Sequence, residues 1–323
     1  FSVRLVLGCD EEVGSTDLEY FKSVRKPPMF SFTPDHKYPV CIGEKGIMTF
    51  TYSLGKAGDE IVFLKGGSVS NAVADSAQIE LRTKKSPISN ENITVFRDND
   101  ILKITAVGKT AHASTPETSV NAIALLADFL LENELLPQEN IKAFEFLSKA
   151  ENEYLGKTLS IDFHDKYFGY LTCVGGVLAL KNGEITINFN VRYPMSKSFD
   201  EVYENVVKTA ENYGFNIIFS NRGTAHSVGY FKSPDSPEIK ALTKAAEDVL
   251  CCDCKPYTMG GGTYARALPN TVAFGAEMDK YKGLLGEGKG EAHDRDEYLT
   301  EEEFFGGIKI FVNSIISLGK IYE

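Results

Sequence analysis

Between Ile185 and Arg192 the chain reads I-T-I-N-F-N-V-R, an alternation that leaves little choice of local structure. Successive side chains of a strand point to opposite faces, so Ile185, Ile187, Phe189 and Val191 share one face, and Thr186, Asn188, Asn190 and Arg192 share the other. Residues 47–54, 61–64, 77–83 and 101–107 read as further strands, separated by glycine or polar breaks.

Around these strands the period changes. Residues 118–133 put Val120, Ile123, Leu126 and Leu130 on one helical face, entered through the turn at Pro116. Ser198 followed by Glu201 is a capping box for a helix through Val202, Val206 and Ala210 that stops at Gly214. The middle of the chain is therefore expected to be an antiparallel sheet with two helices.

The outer segments read differently. The opening F-S-V-R-L-V-L-G alternates and then runs apolar, as a strand buried in a mostly parallel sheet does, and it leads into Cys9, Asp10, Glu11 and Glu12. Open α/β sheets bind ligands beyond the carboxyl ends of their strands, which is where these acids fall. Ser236 and Pro237 start a helix as N-cap and first helical residue. Thr300 with Glu303 starts a last one, expected to bury Phe304, Ile308, Phe311 and Ile315. The expected fold is an α/β domain over 1–46 and 230–323, its mostly parallel sheet flanked by helices and incomplete at the N-terminus. An α+β lid domain is inserted over 47–229.

Composition narrows the function. With 323 residues, 43% hydrophobic and 24% charged, the chain suits about two globular domains. A formal net charge of -11 works against a polyanionic partner, so nucleic acid is excluded. No uninterrupted apolar run of bilayer length and no signal-like start is present, and the expectation is a cytoplasmic protein with no membrane partner. Six scattered cysteines read as reduced thiols, and the run Cys251, Cys252, Cys254 lacks the second pair that a closed thiolate site needs.

Glu11 and Glu12 are adjacent carboxylates that point in different directions, so that one can bind a metal while the other handles a proton. An acidic pair of this kind also reads as a solvated turn. Asp35 is a second acid after a strand, behind Thr33-Pro34, and His293 lies in the carboxylate-rich E-A-H-D-R-D-E. Carboxylate oxygens with an imidazole nitrogen suit zinc or a similar divalent ion. From alternation alone, Arg192 reads equally as half of a surface salt bridge.

Five motifs together resemble the dinuclear zinc metallopeptidases, a family that includes peptidase V-type dipeptidases, carnosinases, aminoacylases and succinyl-diaminopimelate desuccinylase. They are G-C-D-E-E at 8–12, S-F-T-P-D ending at Asp35 with G-E-K-G at 43–46, G-K-T-A-H-A-S around His112, G-G-G-T-Y-A-R-A-L-P-N at 260–270, and E-A-H-D-R-D-E around His293. Their order is the family's, and the strongest likeness is to the dipeptidases. The resemblance implies a metal-dependent dipeptidase that acts on small peptides, with two zinc ions per complete site, or manganese or cobalt in their place. Glu11 would be general base and acid, Glu12 and His293 would bind one metal, and Asp35 the other. His112 would stabilise the oxyanion from the lid. Asn71 and Arg192 would hold the substrate backbone or carboxylate, with Gly260, Gly261, Gly262 and Arg266 also lining the substrate. The long lid favours a monomer that supplies His112 in cis. His36, His164 and His226 match no motif and read as surface or loop residues.

The sequence departs from the pattern in one respect. The family's remaining ligands, a His-x-Asp pair and a bridging Asp, come from a segment ahead of the strand that here begins at Phe1, and no His-x-Asp occurs in this sequence. The expectation is a trimmed or partial product of a longer enzyme, lacking an N-terminal fragment. The alternatives are an aminoacylase or desuccinylase-type amidohydrolase, or a non-catalytic fragment.

Overall fold

In the computed structural model, which describes residues 1–323 except 12–13, 221–227, 287, 291 and 293–294 and the side chains of 219 and 220, the alternating segment forms the strand Glu184–Tyr193. It is antiparallel to Gly46–Lys56 on one side and to Thr172–Lys181 on the other. Phe189 stands opposite Phe50, Ile187 opposite Tyr52 and Val191 opposite Met48, so the apolar faces coincide. On the opposite face, Asn188 Nδ2 donates to Thr51 Oγ1 at 3.0 Å and to the Phe50 carbonyl at 3.2 Å.

The chain divides into two units, Gly46–Ser227 and Phe1–Lys45 with Val228–Glu323. In the first, eight of the described strands form one antiparallel sheet in the order Asn216–Ser220, Gly46–Lys56, Glu184–Tyr193, Thr172–Lys181, Ile61–Gly66, Ser76–Arg82, Ile101–Val107, Ile93–Asp98, and His164–Asp165 with Gly169–Tyr170 forms a separate two-stranded one. Among the described residues, three α-helices cover the apolar face of the larger sheet. Ala122–Glu132 contributes Ile123, Leu126 and Leu130, Ile141–Glu151 contributes Phe144, Phe146 and Leu147, and Phe199–Tyr213 contributes Val202 and Val206, all fully buried. The capping box at Ser198 and the left-handed Gly214 stop are both present.

Two readings of this part are corrected. The helix expected over 118–133 starts at Ala122, because the Asn121 side chain accepts from the Ile123 amide at 2.9 Å as its cap. Val120 instead exchanges backbone hydrogen bonds with Lys109 and is 43% exposed. There are also three covering helices and not two: Ile141–Glu151 carries no capping signature, since Asn140 makes no side-chain cap bond to it.

In the second unit, Cys41–Glu44 is buried along its length and forms the middle of a five-stranded sheet among the described residues. It runs parallel to Tyr257–Met259 and antiparallel to Tyr230–Phe231 and Thr271–Ala273, and the last of these is parallel to Ser31–Thr33. The sheet is therefore mixed, not mostly parallel. Phe1–Gly8 is not a strand: no described strand runs alongside it to take its backbone hydrogen bonds, and Val3, Leu5 and Leu7 are exposed. The helices are Thr16–Val24, Pro237–Leu250 and Glu301–Ile321, with Pro237 at the first position of the second.

The last helix has its capping box, with Thr300 Oγ1 accepting from the Glu303 amide at 3.1 Å. Its buried face is not the one expected. Glu303, Gly307, Ile310 and Ser314 face inward, while Phe304, Phe305, Ile308, Val312 and Ile316 are exposed and Phe311 and Ile315 are only half-buried. Glu303 Oε1 accepts from the Met278 amide at 2.9 Å, and glycines at 306 and 307 let Met278 and Tyr38 approach closely, which turns this face to the sheet. By length and composition this helix is long and apolar enough to cross a membrane, a test that core helices of soluble proteins also pass. Lys309 and Asn313 interrupt its apolar run.

Phe189 ranks among the most enclosed side chains, stacked on Phe50 at 5.4 Å and edge-on to Tyr52 and Phe146. Phe189→Ala is expected to lower the stability of the Gly46–Ser227 unit by about 3–5 kcal/mol, read as an earlier urea transition of that unit.

Candidate functional site

The Gly46–Ser227 unit brings Asn71, His112 and Arg192 to one end of its sheet. His112 lies in the 109–115 loop, bridged to Ala72, and the Ala113 amide donates to the Asn71 carbonyl at 2.8 Å. The Val73 amide donates to the Ala111 carbonyl at 2.9 Å, so the Asn71 and His112 segments are bonded side by side. Arg192 is opposite Thr172 in the sheet, and the Thr172 hydroxyl donates to the Ala113 carbonyl at 2.7 Å.

The chemistry of the three follows from these supports. His112 is exposed, with Nδ1 2.7 Å from Ser114 Oγ and accepting from the Ser114 amide at 3.3 Å. An Nδ1 that accepts from an amide leaves the ring proton on Nε2, as a donor. Asn71 is likewise exposed. Arg192 is only 5% exposed, which rules out the surface salt bridge, and its Nε donates to Asn190 Oδ1 at 2.8 Å.

One buried acid in this unit escaped the sequence reading. Glu151 ends its helix 6% exposed, with Oε2 accepting from Asn121 Nδ2 at 2.6 Å and from the Gly175 amide at 3.0 Å. Burial pushes its carboxyl up to about 8, against the pull of these two donors.

The other unit holds the remaining candidates that are described. Glu11 follows a loop pinned through Asp17 and Tyr264: Asp17 Oδ2 accepts from the Cys9 amide at 2.8 Å and from the Tyr264 hydroxyl at 2.5 Å, and that hydroxyl accepts from the Asp10 amide at 3.1 Å. Gly8 is glycine because a Cβ there would lie 2.2 Å from the Tyr264 oxygen. Tyr264 belongs to the G-G-G-T-Y-A-R motif, so the acidic loop and the glycine loop meet through it. Asp35 lies two residues beyond the Ser31–Thr33 strand and is exposed. Beside it, His36 is not a surface residue: it is half-buried, with Nδ1 2.6 Å from the Tyr257 hydroxyl.

Arg266 is not an open substrate anchor. Its guanidinium is buried against Glu44, Nε to Oε2 at 2.8 Å, and Nη2 donates to the carbonyls of Gly261 at 2.8 Å and Lys45 at 3.2 Å. Thr263 completes the pair, its hydroxyl donating to Glu44 Oε1 at 2.6 Å and its amide to Oε2 at 3.2 Å. Burial raises the Glu44 carboxyl, with Arg266 and Thr263 opposing it. The flat guanidinium packs where a Cβ of Gly262 would go, 2.6 Å from its central carbon. Gly260–262 is thus shaped by an ion pair whose acid half, Glu44, lies in the G-E-K-G motif.

Glu12, His293 and His226 lie outside the described residues. Among the described residues, no three His, Cys, Asp or Glu side chains converge as a metal site. All six cysteines are free, with Cys252 and Cys254 Sγ 3.8 Å apart after the Pro237–Leu250 helix.

Residues 101–216, within the Gly46–Ser227 unit, match the peptidase dimerisation domain of the M20 family. The "Putative dipeptidase" of Staphylococcus aureus strain MRSA252 is 30% identical over 342 residues, covering 98% of this chain and 69% of its own. That of Staphylococcus haemolyticus strain JCSC1435 is 28% identical over 344 residues, with the same coverages. Among solved structures, the aminoacylhistidine dipeptidase of Vibrio alginolyticus aligns with a TM-score of 0.51 at 12% identity, over 90% of this chain and 64% of its own, a likeness of fold. This chain thus spans about two thirds of the length of these relatives.

Glu44 and Glu151 give testable consequences. Arg266→Met strands the Glu44 charge and is expected to cost about 3–5 kcal/mol in chemical denaturation, and adding Glu44→Leu is expected to recover part of the loss. For Glu151, folded and unfolded chains both hold the proton at low pH, but between the ordinary carboxylate value of 4.5 and about 8 only the folded chain keeps it. Unfolding then releases a proton, so stability falls as pH rises through that window. Glu151→Gln is expected to flatten this decline, a difference on the order of a few kcal/mol between pH 5 and 8 by denaturant titration.

Proposed function

Because this chain belongs to the M20 peptidase family, we propose that it is a metal-dependent dipeptidase that hydrolyses the peptide bond of short peptides carrying a free carboxyl end. The observation that carries this reading is the bonding of the Asn71 and His112 segments to each other and, through Thr172, to the strand position of Arg192. A neutral histidine with its proton on Nε2, an amide and a guanidinium are the donors that a peptide carbonyl and a carboxylate require.

In this reading the Gly46–Ser227 unit is the lid. The other unit is the catalytic domain, with Glu12, Asp35 and His293 as metal ligands. Two carboxylates and an imidazole suit zinc, or manganese or cobalt in its place. A divalent ion held there supplies positive charge that polarises a carbonyl and makes water more acidic. Glu11 takes the proton of the attacking water and returns it to the leaving amine. His112 donates from Nε2 to the oxygen of the tetrahedral intermediate, and the Ser114 contacts to Nδ1 keep the ring in the tautomer that can do so. Arg192 and Asn71 hold the terminal carboxylate and the peptide backbone. The backbone of Gly260–262 lies along the second residue, and Arg266 keeps that loop in shape. The molecule works as a monomer with His112 acting in cis.

The test is release of free amino acids from a dipeptide panel by the zinc-loaded protein. Glu11→Gln is expected to reduce kcat about 10²–10⁴-fold with zinc content unchanged by elemental analysis. Arg192→Lys is expected to lose most of the preference for dipeptides over their C-terminal amides, because an ammonium lacks the planar fork. A zinc-loaded protein that cleaves no dipeptide would overturn the reading.

A further inference from the structure

Glu151 is a carboxyl out of water for which no ion pair is found among the described residues, a costly arrangement unless its position does something. Among the described residues its Oε1 has no hydrogen-bond partner, and it presses on Gly175, where a Cβ would sit 2.0 Å away. The register of Thr172–Lys181 shifts between Gly175 and Val177, so the strand bulges where it receives this oxygen. We propose that Glu151 is a positioning residue for the histidine loop, its carboxyl joining the two backbone segments that hold His112 and Asn71 in register. The functional part of this rests on the dipeptidase reading; the structural part does not.

The geometry runs outward from both oxygen-bound donors. On one side is Asn121, whose neighbour Val120 exchanges two hydrogen bonds with Lys109, at 2.8 and 2.9 Å, where the histidine loop begins. On the other side is Gly175, three residues beyond the Thr172 hydroxyl that holds Ala113, where the loop turns away. Next to it, Gly176 lies flush against the carbonyls of Val69 and Ser70, at 2.5 and 2.6 Å from where its Cβ would be, just before Asn71. Loop start, loop end and the Asn71 segment are thus each one short link from a single carboxyl. The titratable groups that face it are the buried Cys173 thiol on the same strand and the Glu153 carboxylate, which accepts from the Leu155 and Thr158 amides. The Glu153 charge favours the neutral form of Glu151, the form that glutamine imitates, while burial keeps the Cys173 thiol itself protonated.

The experiment compares the full chain with Glu151→Leu, which removes the acceptor, and Glu151→Gln, which keeps a carbonyl oxygen in place. Amide hydrogen exchange of Val73, Lys109 and Ala113 is expected to speed up at least tenfold in the leucine variant and to return within twofold of wild type in the glutamine variant, with Gly46–Lys56 unchanged in both. On a cleaved dipeptide, kcat is expected to fall at least tenfold for leucine, with a smaller change in KM, and to recover with glutamine. If the leucine variant does not fold, Asn121→Asp serves instead, keeping the cap to Ile123 while removing the donor to Glu151. Unchanged exchange at those three amides, or a rise spread evenly over the whole unit, overturns the proposal. A wild type that cleaves no dipeptide sinks the peptidase reading alone, and the exchange data still decide the role of Glu151.

Discussion

The strand Glu184–Tyr193 is the constraint on which the Gly46–Ser227 unit depends. Bonded on both sides, it cannot slip by one residue without turning Ile185, Ile187, Phe189 and Val191 away from the helices and Thr186, Asn188 and Asn190 into them. Its register therefore determines where Thr172 stands opposite Arg192, and Thr172 in turn holds the loop of His112. The same pairing that builds the core sets the spacing of the polar groups at the sheet's end.

Two buried carboxylates show different solutions to the same problem. Glu44 lies under the glycine loop with a guanidinium and a threonine on its oxygens, so its charge is matched where it sits. Glu151 has only neutral donors on one oxygen and none on the other, and burial raises its carboxyl until it holds a proton near neutral pH. The first is matched by an ion pair, while the second is held by two neutral donors, from Asn121 and Gly175. Neither faces outward.

Strands with alternating apolar and polar residues and helices with reciprocal caps were readable because their signals are local. Ile101–Val107, Glu184–Tyr193 and the helix after Ser198 each carry period or cap within about ten residues. Ile141–Glu151 starts without a side-chain cap, and Cys41–Glu44 is a four-residue strand whose identity comes from its neighbours. Phe1–Gly8 has a strand's composition, yet a strand exists only where another backbone receives its hydrogen bonds. In the last helix, glycines and the Glu303 bond to Met278 outweighed the larger apolar side chains in choosing the buried face.

For the candidate site, Glu11 and Asp35 drew attention as acids after strand-like segments, while Asn71, His112, Arg192 and the glycine run were named only through the resemblance to the metallopeptidase family. Folding alone decided which of them share a neighbourhood. It joined Asn71 to His112 by main-chain bonds, enclosed Arg192, and turned Arg266 from a substrate contact into the partner of Glu44. The physical reason is separation: Glu44 and Arg266, like Glu151 and Gly175, are far apart in sequence, and no local pattern records a hydrogen bond that only the closed chain can make.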